Sequence, residues 1–132
     1  MELSNIIKKD SNEQRAWYVV PGFEDVEKPP RVLIYKPLPK EVDQVRKKSK
    51  RRRFGGRRSE EIYDEQKLMD GLLELMVEDW ENIVEDGNKV EVTTANKKIL
   101  DGSWQEFRDL WQLVYNDVEA AEELRIEDER KN

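Results

Sequence analysis

The chain contains no cysteine and no histidine. Without cysteine there is no disulfide and no thiolate nucleophile, which fits a reducing compartment. Without histidine, the commonest general base and the commonest transition-metal ligand are missing. No phosphate-cradling glycine loop is present, and most nucleophilic triads are closed to this composition. The expectation is a protein that is not an enzyme and uses no metal or cofactor. Apolar runs are short, none approaching the ~20 residues of a membrane span. The opening Met1-Glu-Leu-Ser-Asn-Ile-Ile-Lys-Lys lacks the basic-then-apolar order of a signal peptide. A soluble, cytoplasmic protein without membrane contact is expected.

Hydrophobic residues make up only 36 % of the 132 positions, against 41 % charged. That supply limits the chain to one small core with polar ends. The net charge of -6 is unevenly spread. Residues Arg46 to Arg58 hold 9 of the 24 bases and no acid, leaving 15 bases against 30 acids elsewhere. The protein is an acidic body with one basic island.

Trp17-Tyr-Val-Val20 and Arg31-Val-Leu-Ile-Tyr35 are β-branched and aromatic, and prolines and glycine bound them. They predict two short antiparallel strands. Lys40 to Lys48 predicts a helix with acids near its start and bases near its end, as the helix dipole favours. The basic island continues this helix end into a loop, and Gly55-Gly56 break it. Ser59 is the expected cap of the next helix, with Ile62, Met69, Leu72, Leu73, Met76 and Trp80 at helical spacing. Asp86-Gly87 predicts a hairpin pairing residues 82–85 with 89–92. Thr93 or Thr94 caps a helix of about two turns over Ala95 to Leu100, closed by Asp101-Gly102. Ser103-Trp-Gln-Glu106 reads as a capping box. It opens a helix with Trp104, Phe107, Trp111, Val114, Tyr115 and Val118 on one side. The fold class expected is α+β: a mostly helical small single domain with short N-terminal strands and a small central β-hairpin. Its layout is a flexible arm at 1–16, the domain at 17–118 with a basic loop at 46–58, and an acidic tail at 119–132.

Two constellations invite function. The basic residues Arg46, Lys47, Lys48, Lys50, Arg51, Arg52, Arg53, Arg57 and Arg58 could neutralise phosphates, with Phe54 stacking on a base. The plainer alternative is a solvated segment that docks on an acidic surface of this chain, a sister subunit or another protein. The side chains of Met69, Met76, Trp80, Trp104, Phe107 and Trp111 could line a groove for an apolar partner. The plainer alternative is that they form the core. Asp79, Glu81, Glu85 and Asp86 cluster in sequence, but their spacing does not match a calcium loop, and turn chemistry accounts for them.

The order of these features resembles the tail assembly chaperones of long-tailed bacteriophages and prophages. The resemblance is carried by Arg31-Val-Leu-Ile-Tyr-Lys-Pro-Leu-Pro39, Trp80-Glu-Asn-Ile-Val-Glu-Asp-Gly-Asn88, Val92-Thr-Thr-Ala-Asn-Lys97 and Ile99-Leu100. The aromatic helix from Trp104 to Trp111 and the tail Glu127 to Asn132 complete it. It runs from Leu68 to Asn132 and is looser before that, where Arg46 to Arg58 is more basic than the family's variable loop. The resemblance implies a non-enzymatic role in virion morphogenesis. It implies binding to the tape measure protein, recruitment of tail tube protein, action in the cytoplasm of a bacterial host and absence from the mature virion. A homo-oligomer is compatible with that role. The alternatives are a nucleic-acid-binding accessory protein acting through Arg46–Arg58, and a structural phage protein retained in the tail or neck.

Overall fold

A computed structural model describes residues 14–55 and 58–131, with side chains described outside 51–61, 63 and 125–131. The expected arm therefore lies mostly outside the described residues. The architecture is a small α+β domain in which four helices accompany short antiparallel sheets.

Strands β1 (Arg15–Val19) and β2 (Arg31–Tyr35) pair antiparallel, with Trp17 opposite Leu33. A third strand, β5 (Val77–Glu81), covers the second edge of β2, so the order is β1-β2-β5. That central position explains why Val32, Leu33 and Ile34 are all buried. A strand covered on both edges and packed on both faces tolerates a continuous apolar run.

Helix α1 (Pro39–Lys48) follows as expected. Its first turn is held by Glu41, whose carboxylate accepts from the Leu38 N–H at 2.9 Å and the Tyr35 hydroxyl at 2.5 Å. The basic segment departs from the expected loop. The helix stops at Ser49, whose N–H bonds back to Val45 and Arg46. The backbone then forms a ribbon of β3 (Lys50–Gly55) and β4 (Arg58–Tyr63). Among the described residues, the ribbon's strands pair with each other as a two-stranded sheet. The Asp64 N–H closes its base on the Ser49 carbonyl at 2.9 Å. Ser59 and Ile62 thus belong to a strand, and the cap of α2 (Glu65–Met76) is Asp64, which accepts from Lys67 N–H at 3.2 Å. Cross-strand pairing supplies Ser59 to Tyr63 with ladder hydrogen bonds that an isolated turn of helix would not match.

The helix carrying the methionines ends four residues before Trp80. Val77 leaves the helical region with ψ 105 and begins β5 (Val77–Glu81). Helical spacing extends to Trp80 by coincidence: Val77 and Trp80 are both buried because a bulge between Leu33 and Ile34 shifts the register. The hairpin β6 (Val84–Glu85) and β7 (Asn88–Lys89) turns at Asp86-Gly87. Both turn residues have positive φ, 52° and 79°, as a two-residue turn matched to strand twist requires.

Thr93 caps α3 (Thr94–Ser103) by accepting from the Asn96 N–H at 3.1 Å. The helix runs through Asp101-Gly102 rather than stopping there. The expected capping box does not form, because Ser103 Oγ donates to the Ile99 carbonyl at 2.5 Å. Trp104 is instead the corner. Its N–H ends α3 on Leu100, and its carbonyl accepts the Arg108 N–H at the start of α4 (Gln105–Lys131). The backbone of α4 stays helical through the segment expected to fray. Its Glu, Ala, Leu and Arg content favours helix without core burial. Glu119 is also tied to Arg46 on α1 at 2.6 Å.

The core lies between the sheet and helices α2 and α4. Trp80, Trp111, Phe107, Ile34, Leu72, Leu73 and Met76 are its largest fully buried side chains. Full burial of each contributes on the order of 1.5–3 kcal/mol before entropy costs. Among the described residues one cation is buried: Lys97 Nζ bonds the Glu74 carbonyl at 3.2 Å and approaches its carboxylate at 3.5 Å.

Candidate protein-binding groove

The structure divides the six residues expected to grip a partner. Met76, Trp80, Phe107 and Trp111 are buried in the core. Met69 and Trp104 are partly buried against it. An apolar-poor chain spends its largest rings on the interior, since nothing smaller fills that volume. Those four side chains are not available to a partner in the folded protein. Of the six, Trp104 lines an open groove.

That site is a groove of about 450 Å³ built by three segments. The β1–β2 loop supplies Phe23, Val26 and Pro30; the residues after β5 supply Ile83 and Val84; the α3–α4 corner supplies Leu100 and Trp104. Lys28 and Asn82 complete the lining. Each wall is anchored. The Val20 N–H bonds the Pro30 carbonyl at 3.0 Å, and Asn82 Nδ2 donates to the Pro29 carbonyl at 2.9 Å, fastening the loop to the end of β5. Asn82 adopts φ 61°, a left-handed conformation that asparagine tolerates better than most residues. The Val90 N–H bonds the Ile83 carbonyl at 3.0 Å, which sets the hairpin beside the loop.

The groove's wall is aromatic and continuous with the core. Phe23 and Trp104 meet edge to face at 5.7 Å and 87°. Trp104 stacks on Phe107 at 6.2 Å, and Phe107 meets Trp80 at 6.3 Å. Ring pairs of this kind resist displacement, so the groove is held from below. Its rim is open: Val26 is 49 % exposed and Val84 62 % exposed. Exposed valines flanking half-buried rings in a concavity make an open apolar surface.

The basic residues are spread over several structures. Arg46 is committed inside the fold, with Nη2 2.6 Å from Glu119 Oε1 and 3.2 Å from the Tyr115 hydroxyl. Burial works against its charge, but Glu119, Tyr115 and Asp43 outweigh that and hold the guanidinium pKa raised. Burial first, and then the hydrogen bond to Glu119, raises the Tyr115 hydroxyl as well. Lys47, Lys48 and Lys50 are exposed. Arg51, Arg52, Arg53 and Arg58 occupy ribbon positions, and the register sets Arg52 opposite Glu61 and Arg53 opposite Glu60. Arg57 lies outside the described residues. The sequence-clustered carboxylates are drawn apart: Glu81 pairs with Arg31 at 3.2 Å, and Asp79 lies 3.6 Å from Lys89. Among the described residues, no three acidic side chains converge as a metal cluster.

Sequence patterning had no access to Phe23, Val26, Val84 and Leu100 as one surface. They come from three separate segments with no shared period. The local signal was Phe23 and Val26 in a short loop otherwise made of turn-forming and charged residues. No helix among the described residues is long and apolar enough to cross a membrane. Comparison with protein-family models, curated proteins and solved structures gives no match for this chain.

Proposed function

We propose that this protein acts by binding other proteins, without catalysis, as a tail assembly chaperone of a long-tailed phage or prophage. The observation that carries the binding role is the groove at the Trp104 corner, where two rings and two exposed valines form an open apolar surface. The resemblance over residues 68–132 supplies the particular role. The client is the tape measure protein, whose amphipathic segments would lay apolar side chains into the groove, as helices do in apolar clefts. The acidic, heavily charged exterior keeps such a complex soluble. Recruitment of tail tube protein follows as a second contact, and the chaperone leaves before the particle is complete.

The groove replaces the grip first expected of the two long helices, with Trp104 common to both. A phosphate-binding role through Arg46–Arg58 is weaker, because Arg46 is engaged by Glu119 and the strand register sets Arg52 and Arg53 opposite Glu61 and Glu60. Coexpression with the tape measure protein encoded in the same genome tests the proposal. Wild-type protein should raise its solubility and copurify with it, and Val84→Asp should lose both effects while remaining folded. A tape measure protein that stays insoluble and uncaptured beside folded wild type would end this reading.

A further inference from the structure

The groove is apolar inside and acidic outside. Glu24, Asp25 and Glu27 stand on the loop that forms one wall, and Glu85 and Asp86 on the hairpin turn that forms the other; all are exposed. The Glu24 carboxylate accepts the Gly22 N–H at 3.0 Å. Asp25, Glu27, Glu85 and Asp86 form no ion pair among the described residues. One lysine, Lys28, lies in the lining. The acids alternate with the apolar rim. Val26, 49 % exposed, sits between Asp25 and Glu27, and Val84, 62 % exposed, precedes Glu85.

An exposed valine beside a carboxylate suits a lysine or arginine side chain, whose methylene stem covers apolar surface while its head stays with the opposite charge. Each wall carries one such position, on either side of the concavity that Phe23, Leu100 and Trp104 line. We propose that the groove selects a helical segment of a partner protein in which an apolar anchor is flanked by lysine or arginine. The anchor packs against Phe23 and Trp104. The stems of the flanking cations lie over Val26 and Val84, and their heads meet Asp25, Glu27, Glu85 and Asp86. Helical spacing allows this, because residues three and four positions from an anchor share its face. A segment with the same anchor but acidic flanks meets like charge on both walls, so the rim rejects as well as attracts. This rests on the protein-binding role given to the groove above and adds the feature by which it sorts partners.

Fluorescence anisotropy of three labelled helical peptides on the full chain tests this. The first has leucine anchors flanked by lysine, the second has the same anchors flanked by serine, and the third keeps the lysines but carries alanine at the anchors. At about 50 mM salt the first should bind at least about tenfold tighter than either of the others. Its lead over the serine peptide should shrink at about 500 mM salt. Asp25→Asn, Glu27→Gln, Glu85→Gln and Asp86→Asn together neutralise the rim at nearly constant shape, and asparagine tolerates the positive φ of position 86. This variant should bind the lysine peptide about tenfold more weakly and the serine peptide as wild type does. Lys28→Ser removes the cation of the lining and should tighten the lysine peptide about threefold, which locates the contact in the groove rather than elsewhere on an acidic body. Circular dichroism checks that both variants remain folded. Leucine peptides that bind alike whatever flanks them would overturn the proposal and leave an unselective protein-binding groove. A lysine peptide that binds without its anchors, that the neutralised rim holds as well as wild type, or that Lys28→Ser holds no tighter would overturn it too. Capture of tape measure protein with no binding of the lysine peptide would sink this selectivity and keep the chaperone reading. Rim-dependent peptide binding without capture would do the reverse.

Discussion

The indole Nε1 of Trp80 donates to the carbonyl of Val90 at 2.8 Å across ten residues of chain. The bond crosses the base of the β6–β7 hairpin and ties it to the third strand of the sheet. Trp80 is thus a core ring with one polar tip that fixes a groove wall. Trp80→Ala should cost about 3–5 kcal/mol in denaturant unfolding, from lost burial and a cavity. Trp80→Phe keeps most of the burial but leaves the Val90 carbonyl without its donor. It should cost less, about 1–3 kcal/mol. Equal losses would mean that the hydrogen bond has no role of its own.

Helices α1 and α2 cross closely at Gly71. A Cβ there would lie 2.7 Å from Val45 Cγ1, and Val45 is a branched side chain with little room to yield. Gly71→Ala gains roughly 1 kcal/mol of helix propensity but forces a clash worth about 1–3 kcal/mol. The expected net effect is neutral to destabilising by up to about 2 kcal/mol. Adding Val45→Ala should convert the alanine at position 71 to a net gain relative to Val45→Ala alone. A thermal-melting double-mutant cycle measures the coupling, and simple additivity would show the helices are not in contact there.

Glu41 should make the protein acid-sensitive in a defined way. The Tyr35 hydroxyl, followed by the Leu38 N–H, holds its carboxyl below the ordinary value of 4.5. A depressed carboxyl stabilises the fold above its unfolded pKa, and that contribution fades as pH falls through the folded value. The group is largely solvated, so the effect stays below about 1 kcal/mol. Tyr35→Phe removes the larger cause. Its unfolding midpoint should differ from wild type near neutral pH and converge with it below the carboxyl's folded pKa. A difference that grows on acidification would refute the assignment.

Arg46 couples the end of α1 to α4 through Glu119 and the Tyr115 hydroxyl, which also donates to Glu119 at 2.6 Å. Both charged side chains keep about a third of their surface exposed, 36 % and 32 %. Arg46→Ala should therefore cost only about 1 kcal/mol, and Glu119→Gln a similar amount with little further loss in the pair. Hydrogen exchange should rise selectively in α4 beyond Tyr115, because this contact ties that stretch to the domain. Uniform protection along α4 in Arg46→Ala would show that the helix holds without it.

Elements with purely local causes were legible in advance. The Asp86-Gly87 turn, the Thr93 cap, the two N-terminal strands and the polarity of α1 each follow from a few adjacent residues. Elements decided by partners were not. Ser59 looked like a cap until pairing with Phe54 placed it in a strand. Trp80 looked like a helix end until β2 offered an unpaired edge. Ser103 looked like a capping box until its hydroxyl turned back to Ile99. In each case a local signal that was chemically sound lost to hydrogen bonds made elsewhere in the chain.

By itself, then, the order of residues determined the α+β class, the turns, most helix starts and the imbalance of charge, because propensity and capping act within a few positions. Which rings are interior and which face outward was settled only by packing. Burial depends on the volume left between distant elements, and no periodicity along the chain encodes that volume. The same holds for the groove, whose walls come from a loop, a hairpin and a helix corner that meet only after the sheet and α4 have closed over the core.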